Sequence, residues 1–332
     1  MTVSKNSGNL VEHLLAGDRR AAARLITMVE NETDDHHEIM RRIYPNTGHA
    51  MILGVTGAAG VGKSSLTDHV IGKLREQGKT VGVVLVDPSS PFTGGAFLGD
   101  RIRLQRHARD EGVFIRSMAS RGYLGGLSRA TYDVIRIIEA MGRDVIIVET
   151  LGAGQDEIDV IHIAQTCLLV VTPGMGDDIQ AMKAGLMEVA HIVVLNKADL
   201  EGTDTCLRHL QATMDVARFD EGAWVPRIVA TVSVASKREH IQGLDELMAA
   251  IAEHQEYLHK NEAIDRVKFQ RIEQELGLIF KDALQKLVLK GLKGTGKKKK
   301  YIQKIMEGKS DPYSVVEEVM KTYILSREER QT

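Results

Sequence analysis

Cysteine is scarce in this chain, and so is any run that could cross a membrane. Its 332 residues include two cysteines, Cys167 and Cys206. Two cannot build a disulfide framework or a self-sufficient zinc site. Cys167 lies in the apolar run Cys-Leu-Leu-Val-Val, which marks a core position. No apolar stretch approaches the ~20 residues of a membrane span. A surplus of charge is missing as well: 43 Lys+Arg against 45 Asp+Glu leave a formal net charge of −2. A dedicated nucleic-acid binder would carry a basic excess. The first residues, Met-Thr-Val-Ser-Lys-Asn, show neither a secretory h-region nor the Arg-rich, acid-poor pattern of a transit peptide. The expected address is a reducing cytoplasm. The length allows one large domain, or one domain with helical additions.

What is present is organised around residues 51–64, Met-Ile-Leu-Gly-Val-Thr-Gly-Ala-Ala-Gly-Val-Gly-Lys-Ser. An apolar run ends in Gly57, and G-x-x-x-x-G-K-[ST] follows as Gly57, Ala58, Ala59, Gly60, Val61, Gly62, Lys63 and Ser64. A helix-compatible run begins at Ser65. Strand, glycine-rich loop and helix form the context that a phosphate-binding P-loop needs. Glycines let the backbone curl until several N–H groups face one anion, and the helix N-terminus adds its positive end. Lys63 can reach β- and γ-phosphates, and the Ser64 hydroxyl can ligate Mg²⁺. The chain is expected to bind a nucleotide.

Before the loop, residues 8–43 read as amphipathic helix, with Leu10, Val11, Leu14, Leu15, Ala21, Leu25, Ile26 and Val29 at three-to-four spacing. The cluster Asp34-Asp35-His36-His37-Glu38 has metal-ligating residue types. Neighbours on a helix point in different directions, so a solvated helix end is the expectation there. From residue 51 to about 255, apolar runs at Ile52–Thr56, Val81–Val86, Val113–Arg116, Val145–Val148, Leu168–Val171, Ile192–Leu195 and Ile228–Val232 alternate with helix-length segments. That pattern predicts an α/β fold: a mainly parallel sheet covered by helices on both faces, with ligands beyond the strands' carboxyl ends. Residues 262–326 turn helical again, at Ala263–Lys290, Tyr301–Met306 and Ser314–Ile324. Lys297–Lys300 reads as the edge of a solvated loop.

Two further constellations fall at strand ends. Asn196-Lys197-Ala198-Asp199 follows Ile192–Leu195 in the N-K-x-D pattern. A fixed carboxylate at Asp199 can accept both N1–H and N2–H₂ of guanine, which adenine cannot reproduce. Lys197 would cover the base plane, and Asn196 would brace the loop. Another guanine loop is expected as Ser233-Val234-Ala235, with Thr231-Val232-Ser233 as the other choice. Asp87, Asp100 and Glu149 end strands or their loops and are candidates for the Mg²⁺ and water shell.

Long segments carry a resemblance. They are Asp87-Pro-Ser-Ser-Pro-Phe-Thr-Gly-Gly-Ala-Phe-Leu-Gly-Asp100, Phe114–Gly126, Val148-Glu-Thr-Leu-Gly-Ala-Gly-Gln155, Thr172–Gly185 and Asn196–Asp199. Over about residues 10–260 the chain resembles the GTPases associated with methylmalonyl-CoA mutase, also labelled ArgK- or MeaB-type or LAO/AO transport proteins. The resemblance implies a P-loop NTPase fold of the SIMIBI type. It implies an N-terminal helical extension (1–48), a GTPase domain (49–260) and a C-terminal helical dimerisation arm (261–332). It further implies that Lys63 and Ser64 bind phosphate and Mg²⁺, with Asp87, Asp100 and Glu149 around the metal and its waters. Residues 92–103, 149–155 and 172–183 would be switches, with Gln155 and Lys183 as candidate catalytic groups. The implied role is a chaperone of an adenosylcobalamin-dependent acyl-CoA mutase, gating cofactor loading and protecting the mutase, with the chaperone itself a homodimer. Insertion of nickel or another metal by a GTPase of the same fold class is the alternative. Departures from the family pattern are Ala59 where Pro is usual, Leu151 and Ala153 where Val is common, the Ser-Lys-Arg-Glu-His-Ile-Gln insertion before Gly243 in the guanine loop, and the Lys297–Lys300 run.

Overall fold

In the computed structural model the expected strands are β1 (Met51–Thr56), β2 (Val81–Asp87), β3 (Val113–Ala119), β4 (Val145–Thr150), β5 (Thr166–Val171), β6 (Ile192–Asn196) and β7 (Arg227–Thr231). They pair in parallel throughout, in the order β3-β2-β4-β1-β5-β6-β7. The helices are α1 (Lys5–Leu15), α2 (Arg19–Glu30), α3 (His36–Ile43), α4 (Lys63–Glu76), α5 (Arg129–Ala140), α6 (Asp156–Ile163), α7 (Thr203–Val216), α8 (Leu244–Lys260), α9 (Ala263–Leu292), α10 (Lys297–Met306) and α11 (Pro312–Tyr323). The structure describes residues 5–87, 104–119, 129–150, 156–174, 190–217, 219–220, 222–233, 241–261, 263–292 and 296–323.

The inner strands are buried on both faces, which is why they read as unbroken apolar runs; β4, β5 and β6 are buried at every position, whereas the edge strand β7 is buried only at Val229 and Thr231. Alternation still sorts the side chains. Leu53, Val55, Val83, Ile147, Leu168 and Val194 pack with Leu66, Val70 and Leu74 of α4 and with Leu247 and Ile251 of α8. Leu169, Val171, Val193 and Leu195 face the other way, onto Cys206, Leu210 and Met214 of α7. Each Leu, Ile or Val so buried stabilises the fold by roughly 1.5–3 kcal/mol. Cys167 sits in this interior, and burial pushes its thiol up to about 12. Among the described residues no helix is long and apolar enough to cross a membrane.

The N-terminal stretch is three helices rather than one. Gly17, at φ +86°, ends α1. Asp18 then caps α2, its Oδ1 accepting from the N–H groups of Arg20 (2.7 Å) and Ala21 (3.3 Å). Those bonds hold the Asp18 carboxyl below its ordinary value. Nor is His36 at a solvated helix end. It is 5% exposed, and its Nε2 lies 2.9 Å from Oδ2 of Asp133 on α5. Arg129, on the same helix, brings its Nη2 to 3.3 Å from Nδ1 of His36. Spacing within α3 could not reveal a partner 97 residues away.

The chain divides into two compact units, Met1–Arg271 and Ile272–Thr332. In the second, Lys297–Lys300 is not a loop edge but the first turn of α10, started by Gly296 at φ +64°. Four lysines are good helix formers once a glycine supplies the turn into the helix.

Candidate functional site

The loop between β1 and α4 lies at the centre of the sheet, and its glycines are forced. At Gly57 (φ +139°) an added Cβ would stand 2.2 Å from the Val170 carbonyl oxygen of β5. At Gly62 (φ +98°) it would stand 2.3 Å from Nδ2 of Asn196. Only a residue without a side chain lets the loop pass so close to its neighbours. Gly62 precedes α4, so Lys63, Ser64 and Ser65 form the first helical turn.

Parallel register brings residues far apart in sequence to this turn. Val55 of β1 pairs with Glu149 of β4, which places that carboxylate next to the loop. Glu149 Oε1 accepts from Ser64 Oγ at 2.6 Å, and both residues are buried. At the strand ends Thr150 Oγ1 donates to Thr56 Oγ1 at 3.3 Å. The buried Lys63 ammonium donates back to its own loop, to the Gly57 carbonyl at 2.6 Å and the Ala58 carbonyl at 2.7 Å. The loop therefore presents an ammonium, a hydroxyl and a carboxylate in one enclosed corner, with the positive end of α4 beneath them.

On the other side of the loop, Asn196 at the end of β6 is fully buried and joins three segments. Its Nδ2 donates to the Val61 carbonyl at 2.8 Å. Its Oδ1 accepts from Thr231 Oγ1 (3.1 Å), Ser233 N–H (3.2 Å) and Ser233 Oγ (2.8 Å). Lys197, at φ +56°, donates from Nζ to the Gly60 carbonyl at 2.8 Å. The Ala198 N–H bonds the Thr231 carbonyl at 3.0 Å, fixing the turn that leaves Asp199 exposed to solvent. A planar group entering here would find the Asp199 turn at its edge and the phosphate loop beside it.

Gly57 to Ser65, Glu149, Asn196, Lys197, Asp199 and Ser233 thus all belong to loops, strand ends or the first turn of α4 at the carboxyl end of the sheet. Asp87 ends β2, separated from β1 by β4. Asp100, Gln155, Lys183, Val234 and Ala235 lie outside the described residues, as do most of the expected switch segments. Two features escaped sequence reasoning. Ser64 and Glu149 are both expected around one ion, but their direct bond, across 85 residues, leaves no local signal. The Thr56–Thr150 pair did leave one, since a hydroxyl residue ends each of two apolar strands.

A family model described as the methylmalonyl-CoA mutase-associated GTPase MeaB matches residues 22–293. A Pyrococcus abyssi protein whose name describes it as a GTPase is 47% identical over 317 residues, covering 95% of this chain and 96% of its own. The Escherichia coli GTPase ArgK is 37% identical over 268 residues, covering 79% and 80%. The crystal structure of a LAO/AO transport system kinase superposes with a TM-score of 0.69 at 25% identity, over 97% of this chain and 99% of that one. With the phosphate loop, the N-K-x-D turn and a match across most of the chain in agreement, the protein belongs to the MeaB family of GTPases.

Proposed function

We propose that this GTPase serves an adenosylcobalamin-dependent acyl-CoA mutase as its chaperone, coupling GTP binding and hydrolysis to cofactor loading and to protection of the mutase. The observation that carries the reading is the span of the family match, residues 22–293, which reaches beyond the nucleotide site into helices at both ends of the chain. In this reading residues 1–48 are a helical extension, 49–260 the GTPase domain and 261–332 a dimerisation arm. The two free cysteines, both buried, suit a reducing cytoplasm.

The corner at Ser64 has the oxygen chemistry that Mg²⁺ requires: a hydroxyl and a carboxylate already in contact and shielded from bulk water. Ser64 and Glu149 would hold the ion directly or through water, with Asp87 and Asp100 completing its surroundings. Bound there, Mg²⁺ neutralises charge on the phosphate oxygens. The chain's own groups do the rest. The loop N–H groups from Gly57 to Ser65 receive the phosphates. Lys63 exchanges its two carbonyl partners for phosphate oxygens, and Glu149, released from Ser64, orients water. Asp199 accepts from the guanine edge, Lys197 covers the ring, and Asn196 holds Thr231 and Ser233 in place; Val234 and Ala235 would close the base pocket.

Hydrolysis by the isolated protein is expected to be slow and to rise in the presence of the mutase. The coupling would run through residues 172–183, with Gln155 as a candidate for positioning water. Supplying one missing positive or polar group can change such rates by roughly 10³–10⁵-fold. The test compares wild type with Lys183→Ala, each with and without purified mutase. Near-normal basal hydrolysis with stimulation largely lost supports the reading. A wild-type rate that no adenosylcobalamin-dependent mutase alters would sink it.

A homodimer fits the exposed stripe on α9 formed by Phe269, Ile272, Leu276, Phe280 and Leu284, spaced three and four residues apart. Phe269→Asp combined with Phe280→Asp should halve the mass seen by light scattering; an unchanged mass would place the interface elsewhere.

A further inference from the structure

The unit Ile272–Thr332 carries an apolar cleft and a concentration of charge that the nucleotide site does not use. The end of α9, with α10 and α11, encloses a cleft of about 300 Å³. Leu292 of α9, Ile302 and Ile305 of α10, and Val316 and Met320 of α11 line it, with Lys298 in its wall. Several of these side chains remain open to solvent: Val316 is 59% exposed and Ile302 49%. Water gains nothing from such a surface, so an apolar occupant is favoured.

The charge around it leans positive, although α11 adds Glu317 and Glu318, and Lys304 Nζ lies 4.0 Å from Glu318 Oε2. Residues 281–309 contain ten lysines, at 281, 286, 290, 293, 297, 298, 299, 300, 304 and 309, and only two acids, Asp282 and Glu307. Both acids are already paired within the chain, with Lys286 and Lys309. Lys297–Lys300 occupy the first turn of α10, which holds no acidic residue and no side-chain cap. Cations at the positive end of a helix are placed against its dipole and against one another. The helix dipole therefore does not account for Lys298, Lys299 and Lys300, and carboxylates brought by a partner would offset their repulsion.

We propose that the cleft formed by α9, α10 and α11 docks an acidic amphipathic helix of a partner protein. Apolar side chains at three-to-four spacing would enter the cleft, and flanking carboxylates would meet Lys298, Lys299 and Lys300. A flat anionic bilayer fits less well, because its surface would leave a concave, carbon-lined cleft unfilled. A second copy of this chain also fits less well. Within this unit the described helix carrying an acidic excess is α11, with Glu317 and Glu318 against Lys321. There Glu318 already accepts from Tyr301 Oη at 3.1 Å. The acidic helix α8 has Leu247, Ile251 and Leu258 buried in its own unit.

The test uses the full-length protein and a fluorescein-labelled helical peptide of about 18 residues, a length that gives five turns. Leucines at i, i+3, i+4 and i+7 form one face of the peptide, and glutamates flank it. A second peptide has lysine at every glutamate position. The glutamate peptide should bind at least about 10-fold more tightly than the lysine peptide, and more weakly as salt rises. Changing Lys297–Lys300 together to Gln should weaken it about 10-fold and flatten the salt dependence. Val316→Asp, at an exposed site, should abolish saturable binding without altering helical circular dichroism, GTP hydrolysis or mass. Equal binding of the two peptides would overturn the proposal, as would full binding by the four-lysine variant. So would phosphatidylserine-containing vesicles that are bound by wild type and released by Val316→Asp. A halving of mass on Val316→Asp would assign the cleft to a second copy instead.

Discussion

At the carboxyl ends of β1, β4 and β6 the buried polar side chains include Thr56, Thr150, Lys63, Ser64, Glu149 and Asn196. At the amino ends of β5 and β6, and in α8 beside them, they include Gln165, Thr166 and His254, with the half-buried His191 next to them. Here His254 Nδ1 lies 2.8 Å from Thr166 Oγ1, and His191 Nδ1 accepts from the Cys167 N–H at 2.9 Å. Trp224 Nε1 donates to the His191 carbonyl at 2.8 Å, and its ring centroid lies 4.7 Å from that of His254. Both ends thus spend polar groups inside the protein, but on different terms. At β5 and β6 the amino end buries neutral groups with nearby aromatic rings, and the carboxylate buried at the amino end of β1, Glu139, is taken up by the Ala50 N–H at 2.8 Å. The carboxyl end places a buried lysine and a buried glutamate beside the phosphate loop, where an anionic ligand and a cation can join them. Burying charge without a ligand is unfavourable, so the first end is built for stability and the second for chemistry.

The sharpest way to break this comparison is Glu149→Gln. An amide oxygen can still accept from Ser64 Oγ, so the empty fold should lose little stability. Hydrolysis should fall by about 10²–10⁴-fold, the range for losing a group that handles a proton or orients water. Kinetics and thermal unfolding of the same sample give both readings. A variant that unfolds much earlier yet turns over normally would show that Glu149 belongs to the architecture instead.

Next in size is the base preference. If the Asp199 turn reads guanine, GTP should bind at least about 100-fold more tightly than ATP, because leaving a carboxylate desolvated and unpaired costs ~3 kcal/mol or more. Asp199→Asn should move the preference toward xanthine nucleotides, whose 2-oxo group suits an amide donor. Calorimetry showing equal affinity for ATP and GTP would remove the guanine assignment.

The carboxyl end was the more legible of the two. Its strands are continuous β-branched runs, and glycine spacing and N-K-x-D are local patterns that need no knowledge of tertiary contacts. The positions of all seven strands followed from that reading, because the inner strands, buried on both faces, carry polar residues only at their ends and the edge strands β3 and β7 keep their β-branched residues. What stayed hidden depends on distant pairing. His36 and Asp133 meet only because α3 packs beside α5, and Ser64 meets Glu149 only through the register of β1 with β4. The breaks within residues 8–43 were missed for a different reason. Apolar spacing continued across Gly17-Asp18, and the cap that separates two helices there is a single side chain. The amino-end cluster gave no sequence signal, since His191, Trp224 and His254 are spread over 63 residues without a motif.

That cluster supplies the smallest effect and the cleanest contrast. Burial pushes His254 down to about 3 and His191 down to about 4, from an ordinary value of 6.5. A depressed histidine contributes stability that is fully present above pH 6.5. It is lost as the pH falls toward the folded-state value, because the unfolded chain takes up protons that the folded chain refuses. Between about pH 6 and 4 each such histidine should steepen the loss by up to ~1.4 kcal/mol per pH unit. His254→Gln keeps a group able to bond Thr166 but removes one titration. At pH 7.5 the variant should be less stable by about 1–2 kcal/mol from imperfect packing. That deficit should shrink as the pH drops and reverse near pH 5, while GTP hydrolysis at pH 7.5 stays within about twofold of wild type, in keeping with a purely structural role. Urea unfolding at several pH values decides the matter. Parallel stability curves would mean that His254 takes up its proton in the folded protein as readily as in the unfolded chain, and the two ends of the sheet would then not differ in the way described.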